Sequence, residues 1–182
     1  MNVFRTIPNQ ITLARIAFVP LLMFLILFES DISRIAAMAL FFLAAVSDAV
    51  DGYLARSFNQ TSLFGKFADP IADKLLIAGA LISLMQLDEL AAWSVMIIIA
   101  REFLVTGLRI LAISEGEAIG ASLTGKLKTI SHVFLILAIL ADRTFALGPG
   151  GATAKAWCLG IAIVLSLLSG AEYFYRSRRL FA

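Results

Sequence analysis

Charge and thiol are scarce in this chain. Only 15% of its 182 residues are charged, and it has one cysteine and one histidine. A lone Cys158 excludes an intramolecular disulfide. With His132 as the only imidazole, no Cys/His zinc cluster can be assembled either. Cys158 lies in an apolar run and reads as a small buried hydrophobe. Long uncharged stretches are missing too. The apolar runs cover residues 16–28, 35–47, 75–87, 90–100, 129–141 and 156–171, and none reaches the roughly 18 residues of a simple membrane span. Each run must therefore complete a crossing with a flank that carries charge. This implies polar groups held near one membrane face, sheltered by protein or water.

What is abundant is apolar surface. Hydrophobic residues make up 60% of the chain and the mean hydropathy is +0.92, well beyond the roughly 45–50% apolar usage of soluble domains. The expectation is an all-α polytopic membrane protein: six transmembrane helices after a short N-terminal interfacial segment, forming one domain over residues 1–182. Within residues 1–12, Phe4, Ile7 and Ile11 mix with Arg5, Asn9 and Gln10, and Pro8 is expected to break the segment from the first span. No small-residue cleavage site follows Phe28, so the first run reads as a retained anchor rather than a secretory signal.

With an even number of spans both termini share a side. Twelve of the fifteen Lys and Arg residues then fall on it, against Arg34, Arg143 and Lys155 opposite. By the positive-inside rule that side is cytoplasmic. Setting aside the suspected site cations Arg56, Arg101, Arg109, Lys126 and Lys128 leaves the bias in place at seven to three. The expected location is the inner (cytoplasmic) membrane, multi-pass, with membrane lipids as neighbours and no nucleic-acid partner.

Helix signals fill in the layout. Ser33 or Asp31 is suited to cap the second helix, which should run past Ser47 to about Arg56. A loop over residues 57–67 follows, and Pro70 points to a third helix starting near Asp69. Asp88 and Glu89 form a tight turn. The fourth helix should span residues 90–114 and break at Glu115, Gly116 and Glu117, and the fifth residues 123–142. Gly148, Pro149, Gly150 and Gly151 read as a loop. The last helix ends in Tyr173, Phe174, Tyr175 and the arginines from Arg176 to Arg179, an interfacial anchor.

The chemistry concentrates between the second and third runs, where Asp48, Asp51, Gly52, Ala55, Arg56, Gly65, Asp69 and Asp73 form the arrangement D-x2-D-G-x2-A-R-x8-G-x3-D-x3-D. Asp48 and Asp51 are spaced i, i+3 and Asp69 and Asp73 i, i+4, so each pair shares one helix face and the four carboxylates can converge. Each carboxylate in a span costs about 2.5–3.5 kcal/mol on insertion scales, so four together require neutralisation. Oxygen-only donors suit a hard ion, Mg2+ or Mn2+, and one or two such ions could also hold a phosphate or pyrophosphate. Gly52 and Gly65 permit close approach of backbone or ligand, and Arg56 offers a forked donor to phosphate oxygens.

This eight-residue pattern resembles the signature of the CDP-alcohol phosphotransferases, integral membrane enzymes of phospholipid synthesis, at every position. The length, six-span layout and motif placement are similar as well. The resemblance implies two metal ions on Asp48, Asp51, Asp69 and Asp73, with Asp73 also the general base. It implies a CDP site lined by Asp48, Gly52, Ala55, Arg56, Gly65 and Asp69, and a homodimer. A Pro-Asn-x-x-Thr stretch common in the family appears as Pro8, Asn9 and Thr12, which implies that Asn9 and Thr12 contact the nucleotide.

The sequences R-E-F-L-V-T-G-L-R from Arg101 to Arg109 and T-G-K-L-K-T from Thr124 to Thr129 bear on the acceptor. Arg101 and Arg109 lie within about 80° on a helical wheel and with Lys126 can form a pocket for an anionic acceptor. Lys128 lies about 200° from Lys126, so one of the two points elsewhere. Glu102 is expected to pair with an arginine, and His132 to be a hydrogen-bonded helix contact rather than a base. The stretch looks similar to the phosphatidylglycerophosphate synthase branch, which implies CDP-diacylglycerol and glycerol 3-phosphate as substrates. The alternatives are an acceptor such as inositol phosphate or serine, or a divalent-cation transporter.

Overall fold

A chain this apolar must satisfy its backbone hydrogen bonds internally, and helices do so within one segment. The computed structural model describes residues 7–54, 63–115 and 122–178, with side chains described from Ile16 onward except those of residues 48–70, 72, 73 and 113. The described chain is helical throughout, with no strand among the described residues: α1 (Ile7–Leu27), α2 (Asp31–Leu54), α3 (Leu63–Gln86), α4 (Ala92–Ser114), α5 (Leu123–Phe145) and α6 (Gly148–Arg176).

Three boundaries differ from the sequence expectation, each at a proline. Pro8 does not separate an interfacial segment. It sits in the first turn of α1, where its missing N–H would be unsatisfied anyway. Helix α3 begins at Leu63, six residues ahead of Asp69, and Pro70 falls at the end of its second turn. One lost backbone bond there is outweighed by a helix that continues to Gln86. The Gly148–Gly151 stretch is the opening turn of α6 rather than a loop, with Pro149 at the helix start and Gly148 at φ +63°.

The chain divides into two compact units, residues 1–89 with 143–146 and residues 90–142 with 147–182. In the first, α1 packs against both α2 and α3. Leu22, Ile26, Ala37, Phe41, Leu76, Ala80, Leu81 and Leu84 are its buried core. Gly79 sets the α1–α3 approach: a Cβ there would meet Val19 Cγ1 at 2.8 Å. The start of α2 is fixed by a reciprocal box, Ser30 N–H to Ser33 Oγ and Ser33 N–H to Ser30 Oγ, both 3.1 Å. Ser30 is thus the cap and Ser33 answers it, where Ser33 or Asp31 had been expected to cap. Helix α3 ends in a Schellman turn. Asp88 adopts φ +59°, with Glu89 N–H bonded to Leu84 O at 3.0 Å and Asp88 N–H to Met85 O at 3.1 Å. Arg143 bridges this turn to the α1–α2 turn, pairing with Glu89 at 3.0 Å and with Glu29.

In the second unit Val95, Ile98, Val105, Leu108 and Ala112 of α4 and Leu135, Ile136, Ile139 and Leu140 of α5 face inward. The opposite faces stay apolar. Leu127, Ile130 and Phe134 on α5 and Trp157, Ile161, Val164 and Leu168 on α6 are exposed at helical spacing. Stripes of this kind suit acyl chains, not water. Helices α5 and α6 are long and apolar enough to cross a membrane. At their joint, Asp142 pairs with Lys155 at 2.8 Å, and its carboxylate occupies the place a Cβ on Gly151 would take. The glycine admits an anion to the positive end of the α6 dipole.

Candidate active site

Helix α2 continues unbroken through Asp48, Asp51 and Gly52 to Leu54, and Gly65, Asp69 and Asp73 lie on the first half of α3. The two intervals therefore keep their helical register: Asp48 to Asp51 rises about 4.5 Å and Asp69 to Asp73 about 6 Å along their axes. Asn9 and Thr12 lie i, i+3 on the first two turns of α1, the helix that packs on both motif-bearing helices. The side chains of Asn9, Thr12, Asp48, Asp51, Gly52, Gly65, Asp69 and Asp73, and the whole of Ala55 and Arg56, lie outside the described residues. What the backbone establishes is that Asp48, Asp51 and Gly52 sit on the end of α2, and Gly65, Asp69 and Asp73 on the first half of α3, in helical register.

The second unit holds a buried polar network whose side chains are described. Glu102 of α4 is its centre. Its Oε1 accepts a hydrogen bond from Lys128 Nζ of α5 at 2.5 Å and one from Arg101 Nη1 at 3.0 Å. Arg101 Nη2 donates to Ser169 Oγ of α6 at 2.7 Å, and its guanidinium lies 5.8 Å from the centroid of the Tyr173 ring. One turn deeper, His132 Nε2 and Ser166 Oγ are 2.8 Å apart. Arg101, Lys128, His132, Ser166 and Ser169 are all buried. A single carboxylate thus serves two buried cations at once, and in an apolar unit such a shared pairing holds α4 and α5 together.

Of the three cations expected to form the acceptor pocket, Arg101, Arg109 and Lys126, the structure brings only Arg101 into this network. Arg109 and Lys126 are exposed on α4 and α5, and Lys128 is the lysine that points inward. Glu102 pairs with an arginine as anticipated, and also with that lysine. His132 makes the hydrogen-bonded helix contact anticipated for it. The α6 contribution was missed. Ser166, Ser169 and Tyr173 recur every three to four residues, one polar stripe on an otherwise apolar helix. That periodicity is present in the sequence, next to the aromatic and cationic helix end. A further tie joins the start of α5 to the end of α6: Thr124 donates to Glu172, which also pairs with Arg176 at 2.5 Å. Ser122 Oγ accepts the Gly125 N–H at 3.1 Å as a helix cap.

Comparison with known proteins places these features in a family context. A profile described as CDP-alcohol phosphatidyltransferase matches residues 5–168, ending one residue before Ser169. The chain is 40% identical over 184 residues to a CDP-diacylglycerol–glycerol-3-phosphate 3-phosphatidyltransferase of Bacillus subtilis (strain 168), covering 94% of each chain. It is 35% identical over 185 residues to the protein of the same name from Rickettsia prowazekii (strain Madrid E), covering 100% of both. A probable phosphatidylglycerophosphate synthase of Mycobacterium tuberculosis (strain ATCC 25618 / H37Rv) is 36% identical over 176 residues, covering 94% of this chain and 81% of the relative.

Proposed function

Because the chain belongs to the CDP-alcohol phosphatidyltransferase family, we propose that it is the phospholipid-synthesis transferase moving the phosphatidyl group of CDP-diacylglycerol to glycerol 3-phosphate. The products are phosphatidylglycerophosphate and CMP. Relatives named for this reaction align with it over nearly their whole length. The observation that carries the reading is the intact helical register of Asp48, Asp51, Asp69 and Asp73 on α2 and α3.

In the proposed reaction the 1-hydroxyl oxygen of glycerol 3-phosphate attacks the lipid-side phosphorus of the pyrophosphate. The bond from that phosphorus to the bridging oxygen breaks, and CMP leaves with the electron pair. Asp73 takes the hydroxyl proton. Asp48, Asp51, Asp69 and Asp73 are hard oxygen donors fit for two Mg2+ or Mn2+ ions, which when bound supply charge neutralisation for the pyrophosphate. Asn9, Thr12, Gly52, Ala55, Arg56 and Gly65 line the CDP site. Arg101 and Arg109 hold the acceptor phosphate. The inward-facing Lys128 takes the place first given to Lys126 in that pocket, supported by its pairing with Glu102 beside Arg101.

All six helices have 21 or more residues, about 31 Å or longer at 1.5 Å per residue. That length supports six crossings of a hydrocarbon core of about 30 Å. The lysine and arginine bias supports an inner-membrane protein with its termini and site on the cytoplasmic side. A homodimer is proposed on the family resemblance alone. CMP release in detergent, measured with glycerol 3-phosphate, inositol phosphate and serine in turn, tests the reading. Release dependent on glycerol 3-phosphate is expected. Release with another acceptor instead would reassign the pocket, and no release with any would overturn the activity.

A further inference from the structure

We propose that Ser169, Gly170 and Tyr173 of α6 form a cradle that fixes the guanidinium of Arg101, making α6 a specificity-determining element for the anionic acceptor. The inference rests on the proposed reading of Arg101 as an acceptor-phosphate ligand. It adds residues that the aspartate motif does not contain.

Three independent contacts define the cradle. The Ser169 hydroxyl takes Arg101 Nη2 at 2.7 Å, and Ser169 is fully buried. The Tyr173 ring faces the guanidinium at 5.8 Å. A Cβ on Gly170 would stand 3.3 Å from Arg101 Cγ, so the absent side chain lets the arginine stem lie against the α6 backbone. The fourth contact is on Arg101's own helix, where Glu102 takes Nη1 at 3.0 Å. Stem, one face and two of the three nitrogens are thus held. Nε is buried without a hydrogen-bond partner.

A guanidinium is a planar fork whose value for a phosphate lies in orientation. Left to its own rotamers, an arginine loses side-chain entropy on each binding event. Pre-setting the plane from α6 removes that loss when the acceptor arrives. A phosphomonoester gains from this. An uncharged polyol or an amino alcohol gains nothing, because it has no phosphate for the fork. The cradle therefore selects the class of acceptor, not the CDP-linked donor, and its residues position a binding group without touching the reacting atoms.

The test is steady-state CMP release in detergent for the wild type, Ser169→Ala, Arg101→Ala and the double variant. Ser169→Ala is expected to raise KM for glycerol 3-phosphate roughly fivefold, the scale of one hydrogen bond, with kcat and KM for CDP-diacylglycerol within about twofold. In the Arg101→Ala background the serine substitution should change nothing further, because its effect passes through the guanidinium. A serine effect that persists without Arg101, or one that falls on both substrates alike, overturns the cradle in favour of general packing. Should Ser169→Ala fail to fold, Gly170→Ala reads the same cradle from the stem side with the same KM expectation. A wild type that does not use glycerol 3-phosphate refutes the parent reading instead. An Arg101→Ala variant with an unchanged acceptor KM removes Arg101 from the pocket.

Discussion

Glu102→Gln should destabilise the second helical unit far more than an isosteric change on a surface would. Glu102 is the shared acceptor for two buried cations, with side-chain exposures of 14% for Glu102, 9% for Arg101 and 7% for Lys128. The amide keeps shape and volume but carries no charge, so Arg101 and Lys128 both lose the carboxylate they share in a low-dielectric site. Removing one partner of a buried pair costs about 3–5 kcal/mol, because the remaining charge stays desolvated. At the low end of that range, and at about 2–4 °C per kcal/mol for a chain of this size, the thermal midpoint in detergent should fall by roughly 6–12 °C. Lys128→Met in the same background should recover part of the loss, since one of the two cations that lost the carboxylate goes with it. The assay is a detergent thermal melt of the three proteins, read by intrinsic fluorescence. A Glu102→Gln midpoint within 1–2 °C of wild type, on the same scale, would refute the claim that the carboxylate is dry and shared. It would mean that water or lipid headgroups reach the pair.

How far the sequence could be read depended on whether a signal was local. The six helices and their order follow from apolar runs and polar breaks, and the α4 and α5 starts fell within two residues of expectation. Proline misled in each case because it was given the force of a boundary. Pro8 and Pro149 occupy opening turns and Pro70 lies within α3, and no one-residue rule separates these from a break. The aspartate pattern was legible because its information is spacing, and spacing on a helix is geometry. The inward lysine was not. Lys126 and Lys128 lie two residues apart on either side of Leu127, and the position of Glu102 on another helix distinguishes them. The α6 serines were visible as a stripe, but their purpose requires knowing that Arg101, 68 residues earlier in the chain, lies opposite. Pairings across such distances are written in packing rather than in any window of sequence.

The remaining expectations address single positions. Gly151→Ala should lower the detergent melting midpoint, with overpacking of about 1–3 kcal/mol, because the new methyl displaces the Asp142 carboxylate from its pairing with Lys155; an unchanged midpoint would show that Asp142 swings aside freely. Asp88→Gly should stabilise the end of α3 by about 0.5–1 kcal/mol, since glycine takes the left-handed φ of +59° without a Cβ penalty; a lower midpoint would mean that the aspartate side chain contributes more to the turn than the backbone strain removes. Asp73→Asn should abolish CMP release while CDP binding, followed by equilibrium dialysis, stays close to wild type. Asp73 lies one turn beyond Asp69 on α3, and in the proposed reaction it alone takes the hydroxyl proton. An asparagine at the later position still offers an oxygen but cannot take up the hydroxyl proton at neutral pH. Retained turnover would therefore leave attack on the pyrophosphate without need of Asp73 as a base, and loss of binding together with turnover would move Asp73 from proton acceptor to nucleotide ligand.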